Sequence, residues 1–88
     1  NNSFIGLLNY TFAPARFFCP TWADLESTEA LSTRLLKDGI THLIFFDESN
    51  ELYERAMPLA ADGELYSWTL YEVLSEGAGG VSLTEYYY

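Results

Sequence analysis

Positive charge is what this sequence has least of. Four lysines and arginines stand against thirteen aspartates and glutamates, leaving a formal net charge of −9. Binding to DNA or RNA needs cations that displace condensed counterions, so a nucleic-acid partner is excluded. Anionic lipid headgroups are disfavoured on the same ground, and solubility is the plainest use of so much acid. Cysteine is almost absent: Cys19 stands alone and allows no internal disulfide. With that one cysteine and one histidine, His42, the chain cannot assemble the Cys/His shell of a zinc site. No run approaches the roughly 18 consecutive apolar residues of a membrane span, so direct membrane insertion is not expected. The start carries no basic segment of the kind that opens a signal peptide. The sequence opens Asn1-Asn2-Ser3 and its only methionine is Met57, so the chain is expected to be a piece of a longer protein.

Apolar and aromatic residues are plentiful. They make up 49% and 17% of the chain, far above a disordered composition that could not offset chain entropy. The 88 residues fit one domain. A chain of this size buries only about 60–65% of its unfolded surface, so it folds with little margin.

The continuous apolar run Phe4-Ile5-Gly6-Leu7-Leu8-Asn9-Tyr10 is expected to be a strand buried on both faces. Pro14 and Pro20 punctuate the next stretch, leaving Ala15 to Cys19 as a short extended piece or edge strand. Asp24 or Ser27 can cap a helix. Leu25, Thr28, Leu31, Leu35 and Leu36 then share one face. Glu26 and Glu29 sit near its positive end, and Arg34 and Lys37 near its negative end. Gly39 lies just past it, where a left-handed cap costs least. Ile40 to Phe46 reads as a central strand ended by Asp47. Ser49 or Asn50 can start a second helix, with Leu52, Tyr53, Ala56 and Met57 facing inward and Pro58 stopping it. Asp62-Gly63 signals a turn, and Leu65 to Leu74 reads as a last strand or a tight strand pair.

This order predicts an α/β fold: a small, mainly parallel sheet of three to four strands with two helices packed on it. The domain is expected over 4–75, with 76–88 a flexible Gly-rich linker and a Tyr-rich tail.

Candidate chemistry is thin. A thiol–imidazole pair would need Cys19 and His42 within hydrogen-bond reach and a third group orienting the ring. Cys19, between Phe18 and Pro20, has no cation or helix terminus beside it to lower its pKa. Asp47, Glu48 and Glu51 cluster after the central strand, where α/β folds favour ligands. They lack the glycine and terminal glutamate of an EF-hand loop, and decoration of a helix start explains them better. No catalytic, cofactor-binding or metal residue is therefore assigned, and no cofactor is expected. Asn1-Asn2-Ser3 and Asn9-Tyr10-Thr11 match the glycosylation acceptor pattern. The aromatic stretch Tyr10, Phe12, Phe17, Phe18 and Trp22 is the candidate docking surface, since such side chains bury a large area at low entropy cost.

The run Leu35-Leu36-Lys37-Asp38-Gly39-Ile40-Thr41-His42-Leu43-Ile44-Phe45-Phe46 resembles a helix–Gly–strand segment of a known family. It is found in C-terminal soluble domains of multi-span GT-C type membrane glycosyltransferases, which include dolichyl-phosphate-mannose–protein mannosyltransferases. Leu70-Tyr71-Glu72-Val73, before a loose tail, is similar to the closing strand of those domains. Ile5 to Tyr10 and then Arg16-Phe17-Phe18 sit where the family places its first strand and loop. The family's catalytic acids lie near its membrane-spanning part, so none carries over. The resemblance implies a non-catalytic accessory domain on the extracytoplasmic side, periplasmic or extracellular. Its parent enzyme would use a lipid-linked sugar donor, and its partner would be the membrane-spanning part of its own chain. The alternative is a stand-alone acidic protein–protein interaction module, for which a homodimer is also allowed.

Overall fold

The computed structural model describes residues 2–20, 26–46 and 50–86. Helix α1 (Asn2–Thr11) leads through a turn to the short strand β1 (Phe17–Phe18). Helix α2 (Thr28–Lys37), strand β2 (His42–Ile44) and helix α3 (Asn50–Ala56) come next. A 3₁₀ turn (Met57–Leu59) and a loop then reach strand β3 (Leu70–Glu76). A second 3₁₀ turn (Gly77–Gly79) joins it to strand β4 (Gly80–Glu85). The four strands form one sheet in the order β1-β2-β3-β4, so the fold is α/β.

The sheet is mixed and mostly antiparallel, which corrects the expected mainly parallel arrangement. Only β1 and β2 run parallel, while β2–β3 and β3–β4 are antiparallel. Connection length sets two of these three pairings; the long segment between β2 and β3, which carries α3, allows either direction. The segment carrying α2 is long enough for a parallel crossover, whereas the turn Gly77–Gly79 permits only a hairpin.

Helix α2 forms where its capping chemistry places it. The Ser27 hydroxyl accepts from the Ala30 N–H at 3.1 Å. At the other end the Ile40 N–H reaches the Leu35 carbonyl at 3.0 Å and the Gly39 N–H reaches Leu36 at 3.3 Å. That paired closure needs a left-handed residue, and Gly39 supplies it at φ 65°. From α2, Leu31 and Leu35 enter a core shared with Leu43, Phe45, Ala56, Leu65, Tyr71, Val81 and Leu83. This core lies between one face of the sheet and the layer of α2 and α3.

Two further expectations are overturned. The run Ile5 to Tyr10 is helix, not strand. Phe4, Leu8 and Phe12 recur every four residues, a helical stripe hidden inside an apolar run that also satisfies a strand. Residues 77–85 are neither linker nor tail. Gly79, at φ 81°, helps close the hairpin, and β4 buries Val81 and Leu83 in the core. Valine and leucine alternating with Ser82 and Thr84 are a period-two pattern with one face inward. Within 65–74, only the part from Leu70 onward is strand.

Tyr71 is buried against Phe45, and its phenol oxygen accepts from the Tyr66 N–H at 2.8 Å. Burial pushes its pKa up, partly opposed by that N–H, with the Glu85 charge adding to the rise. The unfolded chain therefore releases this proton near pH 10 while the folded chain keeps it. Stability is full below about pH 10 and falls as pH rises toward the folded pKa. Thermal melts between neutral pH and pH 11 should show that fall, and Tyr71→Phe should make it shallower. The same substitution should cost about 1 kcal/mol at neutral pH by leaving the Tyr66 N–H unmatched.

Candidate functional site

The second face of the sheet is only partly covered. Side chains alternate along a strand, so Leu43 and Phe45 face the α2–α3 core while His42 and Ile44 face the other way. Phe17 stands beside His42 in the parallel register, and Leu70 stands opposite Ile44. Helix α1 lies over this end of the face, and Phe4 and Leu8 help line a groove of about 610 Å³ beneath it. That volume lies within the range of small-ligand and side-chain pockets.

Two chains of aromatic contacts form the walls. On one side the Phe46 ring meets Phe4 at 5.8 Å and Trp68 at 4.8 Å, both edge to face. On the other, Phe17 lies 6.1 Å from Phe12 and stacks on His42 at 4.9 Å, and His42 meets Tyr86 edge to face at 5.2 Å. Such geometries reflect the ring quadrupoles and add about 0.5–1.5 kcal/mol per pair beyond area burial.

Trp68 is the unusual member. It is 72% exposed and sits at φ 60°, a left-handed conformation rare for a bulky residue. Its N–H is fixed to the Phe45 carbonyl at 2.6 Å. Holding a tryptophan there costs about 1–3 kcal/mol, and such strain concentrates at functional sites.

The sheet's edges are already engaged. The Asn9 carboxamide clamps β1: its Oδ1 accepts from the Phe17 N–H at 2.7 Å, and its Nδ2 donates to the Phe17 carbonyl at 3.4 Å. It thus stands in for a neighbouring strand and blunts the edge. This structural work explains Asn9 without the glycosylation pattern of Asn9-Tyr10-Thr11. At the far edge Ala60 bridges to Leu83, and the Ala61 N–H donates to the Leu83 carbonyl at 2.8 Å.

Of the predicted docking residues, Phe12 and Phe17 reach the groove. Phe12 is exposed, while Phe17 is 8% exposed and forms part of the floor. Tyr10 projects from α1 at 87% exposure. Phe18 turns to the other face, packing on the core under the Arg34 guanidinium at 4.9 Å. Trp22 lies outside the described residues, as do Asp47 and Glu48, and the Glu51 side chain is not described. Phe4, Leu8, His42, Trp68, Leu70 and Tyr86 were not on the expected surface. The spacing of Phe4, Leu8 and Phe12 was the one sequence signal for it.

Among the described residues, the polar groups beside the groove are engaged in holding strands together. Thr41 Oγ1 lies 2.8 Å from His42 Nδ1, but the same hydroxyl accepts from the Arg16 N–H at 2.8 Å. It also lies 3.3 Å from the Arg16 carbonyl, so it staples the chain ahead of β1 to β2. Cys19 is half-buried beyond the end of β1. Among the described residues no three His, Cys, Asp or Glu side chains gather as metal ligands would. The shallow dent on the outer side of α2 holds the half-exposed Arg34–Asp38 pair at 3.3 Å, a surface contact of small value. Tyr66 donates to the Glu64 carboxylate on the surface, and this bond, together with the Glu64 charge, raises the tyrosine pKa. Among the described residues no helix is long and apolar enough to cross a membrane.

Compared with known proteins, no family model, curated protein or solved structure matches this chain.

Asn9→Ala should destabilise the domain by about 1 kcal/mol, because the Phe17 N–H and carbonyl lose their partner together. Asn9→Asp keeps an acceptor for the N–H but sets a carboxylate against the Phe17 carbonyl, so a similar loss is expected. Urea melts of the three proteins would check both, and an unchanged midpoint for Asn9→Ala would contradict the clamp.

Proposed function

We propose that this domain is a non-catalytic binding module, an acidic protein–protein interaction unit that seats an apolar side chain of its partner in the aromatic groove. One observation carries the reading: an exposed tryptophan held in a strained backbone conformation at the rim of an otherwise formed groove. A strained, solvated tryptophan adds little to folding. It supplies a rigid contact area that ordering on binding does not have to create. The engaged sheet edges favour the face over strand addition as the way a partner docks.

The test uses an amphipathic helical peptide with a Trp/Leu face and glutamine flanks, titrated into the ¹⁵N-labelled domain. Shift changes are expected to centre on Leu8, Ile44, Trp68 and Leu70. Trp68→Gly should reduce the affinity tenfold or more, the size of one anchor's loss. Glycine tolerates the left-handed conformation, so the variant's melting temperature should hold or rise. Shifts scattered over the surface, or none at millimolar peptide, would end this reading.

A second reading places the module in a membrane glycosyltransferase that uses a lipid-linked sugar donor. There it would be an extracytoplasmic accessory domain whose groove receives the parent's own membrane-spanning part. The helix–Gly–strand unit from Leu35 to Phe46, closed by Gly39 at φ 65°, favours it. The first-strand segment of that resemblance, Ile5 to Tyr10, is helical here. The full reading frame checks it: hydrophobic spans of about 20 residues should accompany this segment. A parent without such spans would remove this reading and leave the first intact.

A further inference from the structure

The lysine and arginine side chains lie away from the groove face of the sheet. Arg34 and Lys37 lie on α2 and Arg55 on α3, in the layer that covers the core face. Arg16 precedes Phe17 by one position, so alternation directs it to that side as well. That layer also carries Glu29, Asp38 and Glu54, which offset its bases, whereas the strand residues of the groove face carry carboxylates with no lysine or arginine among them. Along β3, Leu70, Glu72, Leu74 and Glu76 share that face, with Glu72 opposite His42 and Thr84. From the groove floor at Leu70, Glu72 stands about 7 Å and Glu76 about 20 Å along the strand. Leu74 between them is exposed, so beyond the groove this row alternates apolar and acidic side chains.

This distribution selects among occupants. A second copy would bring another −9 against the first, which opposes self-association. Anionic membranes and nucleic acids meet the same repulsion. We infer that the groove's partner is a basic amphipathic protein segment, whose apolar anchor enters beside Trp68 while lysine or arginine side chains beyond it meet Glu72 and Glu76. This rests on the binding-module reading and specifies its partner. The aromatic walls supply the anchor's contact area, and the two carboxylates set the direction in which the segment lies. Rim charges of this kind act mainly on encounter rate and orientation.

Three helical peptides with one Trp/Leu face, differing only in lysine, glutamine or glutamate flanks, are the probes. The lysine peptide is expected to bind about fivefold tighter than the glutamine peptide at low salt, the combined effect of two exposed ion pairs. The glutamate peptide should bind weakest. The lysine advantage should shrink as the Debye length falls from about 30 Å at 0.01 M salt to about 8 Å at 0.15 M. In the variant Glu72→Gln with Glu76→Gln, the lysine peptide should bind no better than the glutamine one. Equal binding of all three peptides at the groove would overturn the basic partner and leave the binding module standing. An advantage for lysine that survives the double variant would also overturn it, because the attraction would then come from the chain's overall charge. If none of the peptides shifts the groove resonances, both the partner and the module fail together.

Discussion

Burial of strand β2 on both faces is the constraint that organises the molecule. Leu43 and Phe45 drive one face into the core beneath α2 and α3, where Tyr71, Val81 and Leu83 meet them. Ile44, 9% exposed, and His42 turn the other way and need a cover of their own. Each large side chain buried there contributes about 1.5–3 kcal/mol, a substantial share of a small domain's stability. The three-residue strand His42–Ile44 is therefore where two layers of the molecule are joined.

Helix α1 supplies that second cover incompletely, and the candidate site is the remainder. It is held by one side chain's amide, Asn9 on Phe17, and by ring contacts through Phe4 and Phe12. A helix of ten residues is about 15 Å long, whereas the seven-residue strand β3 alone runs about 23 Å. The helix shields one end of the face, leaves a groove along its flank, and leaves the β3–β4 hairpin beyond it to solvent. Exposed aromatic surface at that boundary is a liability in an isolated domain and an asset in a docking one. A net charge of −9 opposes self-association through such a surface.

The helix α2 and its termini were legible in the sequence because their signals are local. Ser27, Glu29, Arg34, Lys37 and Gly39 each act within a turn of their own position, and the spacing of Leu31 and Leu35 agrees with them, while Leu36, expected on the same face, is exposed. The central strand was legible for a related reason: Ile40 to Phe46 is too short and too β-branched and aromatic to be much else. The first segment was not. A run such as Phe4 to Tyr10 fits a strand buried on two faces as well as a helix, and only its packing on Phe17 and Phe46 decides between them. The Gly-rich stretch misled in the other direction, since Gly77 and Gly79 serve a tight turn and a linker equally well until a partner strand is present.

What the sequence determined by itself is an α/β class of fold, an acidic composition and a chain with one cysteine and one histidine. Those come from composition and from signals a few residues apart. Tertiary structure alone decided that Phe12 and Phe17 share a groove while Phe18 faces the core, and that Trp68 joins them from the far side of the chain. It also decided that the sheet is mostly antiparallel, because the partner of each strand depends on how long the connections are and where they lead. Which side of a strand an aromatic ring occupies is set by register, and register is fixed only when distant segments pair.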